Sequence, residues 1–293
     1  MTFQFLGTSA GEQYPGFWCA CEYCAKARRL GGKNIRKNSC AIIHPSVLID
    51  FPAEIFMQAE RFGVSMLDVE YLLITHPHED HWQPWPLFWR HPIPVRKGRS
   101  VKETMVEMGG PRFTPLKTLH IIGNKRVLEM VRELFAKINL PVKAADIELH
   151  EVAPFQACRL GKLDLMPLKA NHLKKAAEPA LNYIIKTDGR TILYALDTGW
   201  FFPETYEKIR QYQYDLVVIE GTFGNGVDSE EHFNFPKLEK ARALFAKDGL
   251  LKPGAKFCTS HICPHATPVH DKIAPVLSRK GIVLAHDGMK IQL

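Results

Sequence analysis

Short runs of β-branched and other apolar residues, each closed by turn-forming positions, recur along the chain at 3–6, 47–49, 71–74, 119–122, 163–167, 183–185, 191–195, 216–219, 257–259 and 282–285. Their length and boundaries predict strands. Between them, apolar positions fall at helical spacing over 53–62, 126–138, 203–211, 236–245 and 268–277. Three of these segments open on proline, which is tolerated at the first helical position because no intrahelical donor is lost there. Strands and helices are mixed from one end to the other, which predicts an α/β fold. No internal repeat, low-complexity tract or linker interrupts the pattern, so residues 1–293 read as a single domain. The stretch 83–117 is rich in proline, arginine and glycine and shows little periodicity, the mark of an insertion or lid.

Composition narrows the picture. With 46% hydrophobic residues in 293, the chain can bury a substantial core. The start, Met1 to Ser9, has no basic stretch leading into a long apolar one, and no run of about 18 uncharged apolar residues occurs. The expectation is a cytoplasmic protein with no membrane partner. A net charge of +7 suits a small anionic, phosphorylated substrate. The basic residues gather between Arg90 and Lys102 and at Lys174–Lys175, which falls short of a nucleic-acid surface. Of seven cysteines, Cys19, Cys21 and Cys24 crowd together and the rest are scattered. In a reducing compartment such a cluster points to metal, zinc first, rather than to disulfides.

The chemistry concentrates where the apolar run 71–74 ends. Thr75-His76-Pro77-His78-Glu79-Asp80-His81 offers His76, His78, Asp80 and His81 from one short loop, imidazoles and a carboxylate suited to zinc, manganese or iron. Further candidates follow later strands: His172 after 163–168, Asp197 after 191–196 and His261 after 257–260.

In this order the sequence resembles the metallo-β-lactamase superfamily, whose pattern is His-x-His-x-Asp-His followed by a His, an Asp and a His. The resemblance spans essentially the whole chain and implies a sandwich of two mixed sheets flanked by helices, the αββα arrangement. It also implies two divalent active-site metals, zinc or manganese. His76, His78 and His172 would hold one and Asp80, His81 and His261 the other, with Asp197 bridging. Hydrolysis would proceed through a metal-bridging hydroxide. Asp50 resembles the aspartate that orients a ligand histidine in this superfamily. A narrower resemblance comes from Cys19-Ala20-Cys21-Glu22-Tyr23-Cys24, which looks like the PhnP-like cyclic phosphodiesterase branch of phosphonate degradation, where three such cysteines and a later histidine hold a structural zinc. In that family pattern the histidine falls where this chain has Pro264, so His265 or Cys263 is left to complete the site, His265 matching the ligand type. His232 matches a position near the leaving group in that branch, and with Asp80 it is the catalytic candidate. His44, His91, His120, His150 and His270 have no motif around them and are expected to be structural.

The reading is therefore a binuclear phosphodiesterase acting on a small, cyclic-ribose-type phosphodiester. A lactone or thioester hydrolase of the same fold is the alternative, and a non-catalytic metal- or ligand-binding protein is the alternative of another class. A transfer-RNA processor is disfavoured by the lack of a glycine- and lysine-rich arm. A homodimer remains open.

Overall fold

A computed structural model of the chain describes residues 1–90, 116–173 and 176–293. Most of the expected insertion at 83–117 lies outside these residues, as do His91, Arg96, Lys174 and Lys175.

Seven strands form a first sheet: β1 (Thr2–Gly7), β2 (Cys40–Ile43), β3 (Val47–Ile49), β4 (Tyr71–Leu73), β5 (Leu119–Gly123), β6 (Ile147–Glu151) and β14 (Lys290–Gln292). Seven more form a second: β7 (Cys158–Leu160), β8 (Leu163–Lys169), β9 (Leu181–Thr187), β10 (Arg190–Ala195), β11 (Tyr214–Glu220), β12 (Leu251–Ser260) and β13 (Val283–Leu284). The spatial orders are β14-β1-β2-β3-β4-β5-β6 and β13-β12-β11-β10-β9-β8-β7. Both sheets are mixed, and they share a plan. From β14 to β3 the neighbours are antiparallel and from β3 to β6 parallel; from β7 to β10 they are antiparallel and from β10 to β13 parallel. The two halves thus repeat one topology that the residues themselves do not show.

Strand alternation sorts the side chains into layers. Tyr71 and Leu73 of β4, with Ile192 and Tyr194 of β10, face the core between the sheets. Leu72 faces outward under α2 (Ile55–Phe62) and α3 (Lys125–Lys137), whose Ile55, Val127 and Val131 share its cluster. Leu193 and Ala195 face outward under α4 (Pro203–Ile209), α5 (Phe235–Lys247) and α6 (His270–Ser278). The result is the expected four-layer αββα sandwich. Because β4 and β11 are buried on both faces, they read in sequence as unbroken apolar runs. A further helix, α1 (Glu22–Leu30), follows the cysteine cluster and buries only Cys24 and Ala27. Among the described residues no helix is long and apolar enough to cross a membrane.

Candidate metal centre

Parallel strands deliver their carboxyl ends to one rim of the sandwich, and the candidate residues are carried there. Beyond β4 the chain buries Thr75 and His76 completely, emerges at His78 and returns to bury His81. Three residues that follow strand ends adopt left-handed backbone: Asp50 (φ 62°) after β3, Asp197 (φ 46°) after β10 and His261 (φ 58°) after β12. For non-glycine residues this conformation costs about 1–3 kcal/mol each and persists only where surrounding contacts impose it. Here it turns a carboxylate or an imidazole inward instead of along the strand.

Two groups of ligand-type atoms result. In the first, His76, His78 and His172 converge, with His76 Nε2 3.0 Å from His78 Nδ1 and His172 Nε2 3.5 Å from the same atom. In the second, Asp80, His81, Asp197 and His261 converge. Asp197 Oδ2 lies 2.5 Å from His81 Nε2 and 3.1 Å from His261 Nε2, and Asp80 Oδ2 lies 3.2 and 3.5 Å from the same two nitrogens. The same Asp197 oxygen is 3.8 Å from His76 Nε2, so it stands between the groups.

The far side of each ring decides which nitrogen is free. His81 Nδ1 donates to Asp50 Oδ2 at 2.8 Å, and His261 Nδ1 donates to Thr222 Oγ1 at 2.8 Å. His76 Nδ1 donates to Thr75 Oγ1 at 3.0 Å, and that hydroxyl donates in turn to Asp50 Oδ1 at 2.9 Å. Each ring therefore commits its Nδ1 proton outward and turns Nε2 to the centre, the outer-shell arrangement that fixes ligand tautomers in metal sites. His81 Nε2 and His261 Nε2 then face each other at 3.2 Å. Asp197 Oδ2, although buried, has no hydrogen bond of proper geometry. Such a nest demands positive charge. Burial opposes charging His81 and His261, yet the Asp80 and Asp197 carboxylates hold the His81 pKa well above its usual value and that of His261 at about 10. Asp197 is likewise buried, yet the His261 and His81 rings push its pKa well below the carboxylate range. Protons can supply the charge, and a divalent ion competes for the same atoms. The donor set fits divalent metal.

His232 flanks both groups. Its Nδ1 is 3.0 and 3.2 Å from the Glu220 carboxylate oxygens and 3.6 Å from Asp197 Oδ1, and it joins His172 and Asp197 in a third convergence. Glu220, the last residue of β11, is fully buried and also accepts from the Thr198 and Phe233 backbone N–H groups at 2.7 and 3.2 Å. It has no counterpart among the sequence candidates. A carboxylate ending the apolar run 216–219 reads as an ordinary boundary residue, and only the fold shows it buried under a histidine.

At the cysteine cluster, Cys19 Sγ is 3.6 Å from His265 Nδ1, and Cys21 completes a three-member group with them. Cys24 lies just inside, its buried sulfur accepting from the Gly16 N–H at 3.3 Å. The N–H of Cys24 and the thiol of Cys19 offset burial to bring the Cys21 thiol down to about 7, whereas burial pushes Cys24 up to about 12. Cys263 is not part of the group, and the other nitrogen of His265 is hydrogen-bonded to Glu12. Among the two open candidates for a fourth ligand, the structure brings His265 to the cysteines. All seven cysteines are free thiols. His286 and Asp287 stay outside the centre; Asp287 ties Thr8 Oγ1 and the Lys37 N–H at 2.7 and 2.8 Å.

A family model described as the beta-lactamase superfamily domain matches residues 102–250, just over half of the chain. Among solved structures, the chain is similar to a diphosphatase from the PhnP family, with TM-score 0.69 and 21% identity over 100% of this chain and 97% of the other. It is similar to Zn(2+)-bound PqqB from Methylobacterium extorquens, with TM-score 0.72 and 17% identity over 100% of both. It is also similar to the short form of human tRNase Z, with TM-score 0.63 and 15% identity over 100% of this chain and 99% of the other. At these identities the likeness is one of fold. No curated protein sequence matches.

Proposed function

Because the chain belongs to the β-lactamase superfamily and carries the His/Asp metal site of its hydrolases, we propose that it is a binuclear phosphodiesterase acting on a small phosphodiester of the cyclic ribose phosphate type. The observation that carries the reading is the His232–Glu220 pair beside the convergence of His172 and Asp197. Burial alone would discharge His232, but the Glu220 carboxylate raises its pKa above the ordinary value. With Nδ1 held by Glu220, the ring keeps a proton and presents Nε2 as the remaining donor. An alkoxide leaving group, poor when unprotonated, needs such a general acid; a thiolate or nitrophenolate does not.

Divalent ions in the two groups would lower the pKa of a water and neutralise charge developing on the attacked phosphorus. The chain's own residues do the rest. Asp197 holds the two groups at one spacing, Asp50 and Thr222 fix the ring orientations of His81 and His261, and Glu220 aims His232. The net charge of +7 favours an anionic substrate. The names of two structural neighbours, a diphosphatase and a tRNase, agree with chemistry at phosphorus.

The test is hydrolysis of a ribose cyclic phosphate beside a nitrophenyl phosphodiester and a lactone, by wild type and His232→Gln. The expected result is turnover of both phosphodiesters, with the variant losing about 10²–10⁴-fold on the alkyl leaving group, the usual worth of a general acid, and far less on nitrophenolate. Equal losses on both would remove His232 as the acid. Turnover of the lactone alone would overturn the phosphodiesterase reading, and metal binding without any turnover would make the chain a binder.

A further inference from the structure

A further set of ligand-type side chains lies at the β6 edge of the first sheet. β5 and β6 are parallel, with His120 in register with Glu148 and Ile122 with His150. Ile122 packs into the core between the sheets while Ile121, Leu119 and Leu149 pack under the helices. By alternation, His120, Glu148 and His150 therefore share the inner face. There β6 is the last strand, and the face passes from core to solvent. His120 also pairs with Tyr71 at the start of β4, whereas the histidine loop leaves the far end of that strand. The cluster is thus separate from the centre described above.

Its geometry is that of a chelate. His120 Nδ1 is 2.9 Å from His150 Nε2 and 3.3 Å from Glu148 Oε2, and His150 Nε2 is 3.9 Å from the same oxygen. Ligand atoms about 2.0–2.2 Å from one zinc ion, the usual zinc distances, sit about 3.3 Å apart when tetrahedral. The three separations bracket that value. The His120 ring is held before any ion arrives, stacked on Tyr71 with centroids 5.3 Å apart, while both histidines keep 24% side-chain exposure and Glu148 keeps 61%, open to an ion from solvent.

We propose that His120, Glu148 and His150 form a zinc-binding site at the sheet edge, distinct from the catalytic and cysteine clusters, which pins edge strand β6 to β5. Two imidazoles and one carboxylate from two adjacent strands suit a borderline divalent ion and leave one position to solvent. Such a site exchanges its ion readily and gains stability for the edge strand only while zinc is bound.

The test compares the full-length protein with His150→Gln and Glu148→Gln in a zinc-buffered dialysis series, counting zinc per chain by mass spectrometry. Crystals are measured in parallel at the zinc absorption edge. The expected result is one equivalent fewer in His150→Gln, a weakening of at least tenfold at that equivalent in Glu148→Gln, and an anomalous peak among the three side chains in wild type. Basal hydrolysis should be unchanged in both variants, which shows that they are folded. Equal stoichiometry and affinity in all three proteins, without an anomalous peak, would overturn the proposal and leave His120 and His150 as a hydrogen-bonded pair. Neither outcome depends on the substrate assigned to the catalytic centre.

Discussion

Asp50→Asn tests whether the tautomer of His81 controls the catalytic centre. Asp50 is completely buried, and its two oxygens have separate duties: Oδ1 accepts from the Thr75 N–H and Oγ1–H, both at 2.9 Å, and Oδ2 accepts from His81 Nδ1 at 2.8 Å. Two donors hold the amide oxygen of the asparagine at the Oδ1 position, so its NH₂ must replace Oδ2 and face His81. A donor then opposes the Nδ1–H. The metal-free ring, which in the wild type carries a proton on each nitrogen, escapes by giving up the one on Nδ1 and keeping the one on Nε2, which faces Asp197 Oδ2 2.5 Å away. That proton occupies the atom a metal needs. An ion displaces that proton in either protein, but in the variant the neutral ring must then carry its proton on Nδ1 without a charged acceptor, a hydrogen bond worth about 1.5–3 kcal/mol. The same figure follows from outer-shell substitutions in metal sites, which weaken affinity about 10–100-fold, or about 1.4–2.7 kcal/mol. Competition of the loaded protein against a chromophoric chelator resolves the ions. The expected outcome is early release of an ion at the site that Asp80, His81 and His261 would form, with an ion at the site that His76, His78 and His172 would form less affected. The metal-stripped variant should still melt cooperatively, because its Nε2–H still faces Asp197. Release of both ions at wild-type affinity would refute the tautomer argument.

At the cysteine cluster, Cys21→Ser should remove one zinc per chain by elemental analysis and lower the melting temperature, since a ligand set spanning Cys19, Cys21 and His265 ties the N-terminal loop to the segment after β12; an unchanged zinc count would remove that site. A pH effect is expected at His270, whose Nδ1 accepts from the buried Arg36 guanidinium at 3.0 Å and whose pKa burial and Arg36 lower to about 3. A depressed histidine contributes stability that is complete above its unfolded value of about 6.5 and is lost as pH falls toward the folded value, at most about 2 kcal/mol by about pH 5. Asp287, raised by burial to about 6, acts oppositely: its contribution is complete below the unfolded carboxylate value and lost as pH rises through about 6. Wild type should therefore change little between about pH 7.5 and about pH 5 from these two groups, while His270→Gln, which still offers Arg36 an acceptor, gains on acidification relative to wild type by about 1–2 kcal/mol in urea melts; parallel pH profiles would contradict this.

What the sequence disclosed follows from which faces are buried. β4 and β11 are buried on both faces and announce themselves as apolar runs, whereas β6, Ile-Glu-Leu-His-Glu, and β7, Cys-Arg-Leu, are edge strands that alternate apolar with polar residues over too few positions to form such a run. β2, Cys-Ala-Ile-Ile, is fully buried but opens on Cys-Ala, and alanine is disfavoured in strands, so only its last two residues carry the signal. α1 buries only a cysteine and an alanine, so no apolar period marks it in the sequence. At the centre, the ligand-type residues were legible because imidazoles gather in one loop. Glu220 was not, because its role depends on Thr198, Phe233 and His232, which meet it only in three dimensions. The edge cluster escaped for the same reason: His120 and His150 lie 30 residues apart, and only strand register brings them within 2.9 Å.

The shared topology of the two sheets accounts for the place of the centre. Counting from the antiparallel side, β3 of the first sheet corresponds to β10 of the second, each being the strand where antiparallel pairing gives way to parallel. Both are followed within two residues by an aspartate in left-handed backbone, Asp50 and Asp197. The two carboxylates meet the same ring from opposite sides, Asp50 at His81 Nδ1 and Asp197 at His81 Nε2. One repeated backbone device thus supplies both an orienting group and a group positioned for metal, and the ring between them is where the halves are joined electrostatically. Side-chain packing between the sheets could hold the halves together without this ring, so the strain at Asp50 and Asp197 has its explanation in the site and not in the core.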